Sequence, residues 1–157
     1  MNFNFKKMQK KYAKEILKWH YDGKYSFYDM EFDKEDLEDF LEIIENDNWD
    51  NYYVAVDEKE NLIGMFTYNF NMDVMEIGLG LKPSLTGKGI GEHYVKAGIE
   101  YGLLELGFEG KQIKLSVANF NNRAIKVYKK IGFKEVGRYI QTINDEKYEF
   151  ITMIKNV

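Results

Sequence analysis

Ten residues, Lys82-Pro-Ser-Leu-Thr-Gly-Lys-Gly-Ile-Gly91, concentrate the chemistry that this chain displays most openly. Gly87, Gly89 and Gly91 have no side chains to hold a ligand off the backbone, and glycine enters the positive-φ region at little cost. The segment falls between an apolar run and a long helical pattern, where the first turn of a helix leaves N–H groups without partners. Thr86 and Ile90 frame the glycines, and Lys88 adds a positive charge. Free N–H groups beside a cation suit a phosphate or diphosphate; the competing reading is a glycine-rich turn with no ligand.

Two common phosphate-binding patterns fail here. A P-loop needs glycine five positions before its Gly-Lys and Ser or Thr after it, whereas Lys82 and Gly89 stand there. A dinucleotide fingerprint Gly-x-Gly-x-x-Gly begun at Gly87 would end on Glu92, and begun at Gly78 on Pro83.

The elements that must position this loop follow from periodicity. Phe3 and Phe5 alternate with polar neighbours as a short strand, and Lys10 to Trp19 reads as a helix with Tyr12, Ile16 and Trp19 on one side. Tyr21 to Met30 is aromatic and aperiodic, a loop. Asp33 is an N-cap candidate for a helix whose apolar stripe is Leu37, Phe40, Leu41 and Ile44. Tyr52–Val56 and Leu62–Phe70 are strands about the turn Asp57–Asn61, and Val74–Leu81 is a third, stopped by Pro83, the only proline. Ile90 to Leu106 is the longest helical pattern, with Ile90, Tyr94, Ala97, Tyr101 and Leu104 inward and Gly107 after its end. Ile113–Val117 alternates as a strand, Asn122–Ile131 is a helix ended by Gly132, and two strands close the chain around Asn144 and Asp145. The order β-α-α-β-β-β-α-β-α-β-β describes an α/β (α+β) fold: a mixed sheet of about seven strands with about four helices packed on it.

Composition narrows the function classes. The 157 residues suit one domain spanning 1–157, and 45% hydrophobic with 31% charged residues is a globular balance. No apolar run nears the ~18 residues of a membrane helix, and the first twelve residues lack the apolar core of a secretory signal, so a cytoplasmic location and no membrane partner are expected. The formal charge of −4 disfavours nucleic acid, which needs a basic face. Without cysteine there is no disulfide, thiolate metal site or thiol-linked acyl-enzyme. His20 and His93 lie far apart in the sequence, so no metal is expected either.

A second motif follows the glycine loop. Val117, Asn121, Ala124, Tyr128, Gly132 and Phe133 reproduce the spacing Val-x-x-x-Asn-x-x-Ala-x-x-x-Tyr-x-x-x-Gly-Phe. Together with Thr86-Gly-Lys-Gly-Ile-Gly91, which is similar to a Gln/Arg-x-x-Gly-x-Gly/Ala loop, it resembles the GNAT superfamily of N-acetyltransferases. The match covers Glu76 to Gly137, and the last hairpin resembles the family as well. Thr86 stands where Gln or Arg is usual. Glu76 to Pro83 looks like the branch that acetylates ribosomal-protein N-termini and polyamines, although that branch often has Trp at the Thr86 position.

The resemblance implies a GNAT-like acyl-CoA N-acyltransferase fold, mostly antiparallel, in which the parallel neighbours Val74–Leu81 and Lys111–Val117 splay apart around the tail of acetyl-CoA. It implies that Leu79, Gly80, Leu81, Asn121 and the loop Thr86–Gly91 (Thr86, Gly87, Lys88, Gly89, Ile90, Gly91) bind the co-substrate, with Gly78 and Gly80 allowing a bulge or a close approach. It implies further that Glu76 accepts a proton from the amine and Tyr128 returns one to the departing thiolate, by direct attack in a ternary complex. The residues keep plainer readings: Tyr128 as a packing aromatic, Glu76 as a solvated carboxylate, Asn121 as an N-cap. For the acceptor amine, Tyr21, Tyr25, Phe27, Tyr28 and Glu31 combine aromatic faces with a carboxylate, against the plain reading of core aromatics before a solvated acidic helix. A non-catalytic acyl-CoA sensor is the alternative function, and a monomer or homodimer fits either.

Overall fold

The computed structural model describes residues 1–157. Seven strands form one sheet in the order β1-β2-β3-β4-β5-β7-β6, where β1 is Asn4–Lys7, β2 Tyr52–Val56, β3 Leu62–Asn71, β4 Val74–Leu81, β5 Gln112–Ala118, β6 Lys134–Ile143 and β7 Glu146–Asn156. All neighbours are antiparallel except β4 and β5. The helices are α1 Lys10–Ile16, α2 Lys34–Asn46, α3 Gly91–Leu104 and α4 Asn122–Lys130, and none is long and apolar enough to cross a membrane.

Local chemistry explains most boundaries. Asp33 caps α2 by accepting from the N–H groups of Glu35 and Asp36 at 3.0 and 3.2 Å, and those two acidic residues meet the positive end of the helix. The Asp57 carboxylate accepts from the Lys59 and Asn61 N–H groups, closing the β2–β3 turn. Asn144 and Asp145 both take positive φ, 50° and 66°, the backbone of a tight hairpin turn, and Asn144 also donates to the Phe32 carbonyl, tying the hairpin to the start of α2.

Several expectations needed revision. The first helix ends at Ile16, not Trp19, and the aromatic segment after it contains a 3-10 helix, Gly23–Tyr28, where a loop was expected. Leu41 is exposed, because the sheet takes only the narrow Phe40–Ile44 edge of α2. On α3, Leu104 is 70% exposed, and the buried face is Tyr94, Val95, Gly98, Ile99 and Gly102. Two glycines in that face let the helix approach closely, Gly98 over Phe66 of β3 and Gly102 over Met75 of β4, and a stripe drawn from large apolar residues cannot show this. No bulge occurs at Gly78 or Gly80, which keep regular register with Thr67 and Met65; the irregularities lie at Ala55/Val56 and Glu135/Gly137.

The core sits on both faces of the sheet. One cluster, including Phe66, Tyr68, Met75, Ile77, Val95 and Ile99, fills the α3–α4 side; the other, including Met8, Tyr12, Ile16, Trp19 and Phe40, fills the α1–α2 side. A Cβ added to Gly98 would lie 2.1 Å from the Phe66 ring, which is fully buried. Gly98→Ala should therefore destabilise the protein by about 2 kcal/mol despite the better helix propensity of alanine, seen as a Tm lower by roughly 4–8 °C. An unchanged Tm would mean that α3 can retreat from β3 freely.

Candidate active site

The parallel contact between β4 and β5 covers only Val74–Gln112, Met75–Ile113 and Glu76–Lys114. Beyond it, β4 stays bonded to β3 through Leu81, and β5 to β7 through Ala118. The Lys82 N–H donates to the Ile63 carbonyl at 2.8 Å. By strand alternation, Gly80 and Gly78 therefore also aim their backbone groups at β3, while Leu79 and Leu81 aim theirs into the gap. The Leu81 carbonyl accepts from the Tyr21 hydroxyl at 2.6 Å, and the Gly80 carbonyl from the Tyr94 hydroxyl at 2.9 Å. Leu79 thus presents the gap-facing backbone most openly, and Gly80 serves the opposite side.

The gap opens into a cleft of about 850 Å³. One end is the glycine loop. Pro83–Leu85 makes one 3-10 turn, closed by the Thr86 hydroxyl donating to the Pro83 carbonyl at 2.7 Å. Gly87 and Gly89 then take φ of +71° and +78°, conformations that a side chain would strain. They deliver the chain to α3 with no side chain capping its first N–H groups. Arg123, Lys126 and Lys130 of α4 line the same end with Lys88 and Glu92. The Glu92 carboxyl is held below its usual range by Lys130 and then Lys96, each at 3.1 Å, so its charge is offset.

The other residues expected at the site divide into two groups. Tyr128 lines the cleft, its ring edge-on to Phe133 with centroids 5.9 Å apart. Unlike the Tyr21, Tyr68 and Tyr94 hydroxyls, that of Tyr128 makes no hydrogen bond within the protein. Burial, and then the neighbouring Tyr28, push its pKa up, so it stays a protonated phenol at neutral pH. Asn121 caps α4, accepting from the Ala124 N–H at 3.1 Å, and donates to the Tyr28 hydroxyl at 3.1 Å. Tyr25 and Tyr28 line the cleft as well, and the Arg123 guanidinium lies 4.3 Å over the Tyr25 ring.

Glu76, Phe27 and Glu31 do not line it. Glu76 is half-exposed and pairs with Lys114 at 3.5 Å, where the two strands part. Phe27 packs among Phe32, Phe120, Tyr148 and Phe150, and Glu31 faces His20. The sequence reading placed Tyr21 with the acceptor aromatics, and it missed Tyr94, Arg123 and Lys126. A signal for the cations existed, since 123, 126 and 130 share one helical face.

The model of the Acetyltransferase (GNAT) family matches residues 13–133. The chain belongs to that family, and its sheet, with one parallel pair and flanking helices, has the acyl-CoA N-acyltransferase fold. Among solved structures it is similar to a spermidine N-acetyltransferase SpeG chimera from Vibrio cholerae and hSSAT, at 20% identity and TM-score 0.76, covering 99% of this chain and 96% of that one. It is also similar to an acetyltransferase of the GNAT family from Bacillus anthracis, at 17% identity and TM-score 0.76, covering 99% and 95%. No curated protein matches it.

Tyr21 owes its place over the gap to a local clip: the Asp29 carboxylate accepts from the Tyr21 N–H at 2.8 Å and from His20 Nδ1 at 3.0 Å. Asp29, followed by the opposing effects of lost hydration and Glu31, leaves the His20 pKa above its ordinary 6.5. A raised folded pKa means that the stabilisation is fully present below pH ~6.5 and is lost as pH rises through the folded value. NMR titration should find His20 above its ordinary value in the native protein and back near it in Asp29→Asn; no difference between the two would dissolve the clip.

Proposed function

We propose that this protein transfers the acetyl group of acetyl-CoA to a primary amine, whether a small amine, a polyamine or a peptide amine, by direct attack in a ternary complex. The observation that supports this most is the parting of β4 and β5 beside an uncapped helix start. Free N–H groups, Lys88 and Arg123 suit a diphosphate at one end, and the gap-facing backbone of Leu79 suits the amides of a pantetheine tail. Asn121 and Tyr128 line the path between. Family membership points to the same co-substrate.

The co-substrate supplies a thioester carbonyl and a thiolate leaving group. The work left to the protein is proton management, since an alkyl ammonium with a pKa of about 10 is not a nucleophile. Tyr128 remains protonated and unpaired within the protein, so it can give its proton to the sulfur as the C–S bond breaks. Glu76 lies on the same sheet face as Gly78, one alternation before the gap. It can take the amine's proton through water running past that glycine, where the Thr67 hydroxyl, packed against Gly78, can join the chain. With no cysteine in the chain, the amine nitrogen attacks the thioester carbon itself.

Steady-state assays of released thiol test these roles. Tyr128→Phe should lower kcat about 100-fold with KM nearly constant, and Glu76→Gln about tenfold, both without loss of Tm; turnover like the wild type would remove that residue from the reaction. Calorimetric binding of CoA without transfer to any amine would favour a sensor instead. Arg123→Ala should weaken CoA binding about tenfold, the worth of one charge-assisted phosphate contact. An unchanged Kd would place the diphosphate elsewhere.

A further inference from the structure

The cleft has two ends of opposite chemistry. Every charged side chain lining it, Lys88, Glu92, Arg123, Lys126 and Lys130, belongs to the glycine loop, the start of α3, or α4. The other arm reaches the α1 face of the sheet. There Phe66 and Tyr68 point away, toward Gly98 of α3, so Met65 and Thr67 point into the arm beside Gly78 and Gly80. Ile16, Trp19 and Met30 complete its wall.

No carboxylate lines this arm. Of the acidic groups nearest in sequence, Asp29 is engaged with Tyr21 and His20, Glu31 with His20 and Glu15 with Lys82, while Asp22 and Glu76 lie outside the lining. The face of Tyr25, which could otherwise receive a cation, carries the Arg123 guanidinium. We infer that the acceptor is a monoamine with an aliphatic or aromatic body, and that polyamines and other substrates with a second ammonium are poor acceptors. This rests on the acetyl-transfer reading above and narrows it.

The physical reason is desolvation. A second ammonium in this arm would lose its water and find no opposite charge, only the aromatic rings of Trp19, Tyr21 and Tyr28, whose attraction falls short of that cost. A hydrocarbon body is favoured by the same wall, because burying it against Ile16, Met30 and Met65 removes apolar surface from water. The single reacting ammonium also gains. Surroundings poor in water lower its pKa and raise the share of the neutral form that can attack.

Two amines of equal length isolate the effect: hexylamine and 1,6-diaminohexane differ by one terminal ammonium, and 2-phenylethylamine and spermidine extend the comparison. With the full chain and saturating acetyl-CoA, kcat/KM should favour each monoamine about tenfold or more, which is about 1.4 kcal/mol of discrimination. Equal or higher values for 1,6-diaminohexane or spermidine overturn the inference. Calorimetric titration of the same amines into the protein with bound CoA ranks them without needing turnover. If hexylamine binds tighter but no acetyl moves, the transfer reading falls and the selectivity stands; if transfer occurs with the diamine preferred, the reverse holds. Failure of either monoamine to bind the CoA complex also overturns the selectivity. Thr67→Asp, which puts a carboxylate into the arm, should shift the kcat/KM ratio toward 1,6-diaminohexane; an unmoved ratio in a folded variant counts against the inference.

Discussion

The structure depends on one unmet commitment of the backbone. β4 is bonded to β3 along its whole length and β5 to β7 along its own, so each strand follows an antiparallel partner and the two share only the stretch ending at Glu76 and Lys114. Sheets twist, and two halves led by different partners diverge once their shared bonds stop. Buried N–H and C=O groups cannot be left without partners cheaply. Tyr21 answers one of them at Leu81, while Tyr94 reinforces the β3–β4 edge at Gly80 and Met65. What remains unanswered defines a slot for a molecule that carries amides of its own.

Tyr94 also shows how closely the scaffold is fitted to that slot. A Cβ on Gly64 would sit 2.1 Å from the Tyr94 hydroxyl, so glycine there is what admits the phenol to the strand edge. The same ring is buried against Phe66, and its pKa is driven well above the ordinary value by loss of water. It is therefore a neutral donor at neutral pH. Packing and hydrogen bonding at the mouth of the gap are thus one arrangement.

Charge is distributed against the average. The chain carries −4 overall, yet the charged lining of the cleft is four cations and one carboxylate, all at the end where α3 begins. Net charge had pointed away from an anionic ligand surface, and the local field points toward one. The acidic residues that set the total lie elsewhere, many of them on α2.

What could be read from the sequence was whatever is settled within a few residues. The cap at Asp33, the positive-φ hairpin at Asn144-Asp145, the glycine loop and the Asn121-to-Phe133 spacing express local rules of turn, cap and alternation, and the seven strands and four helices followed from them in the right order. Because the resemblance lay in the same local motifs, the splayed parallel pair was foreseen too. The tertiary structure alone decided which side chains share the cleft. It brought Tyr21 to Leu81 and Arg123 to Tyr25, and it left Glu76, Phe27 and Glu31 outside the lining. Such meetings join residues distant in the chain, and they depend on how closely α3 can seat its glycines on β3 and β4 and on where two strands stop pairing, which are properties of packing that no local window contains.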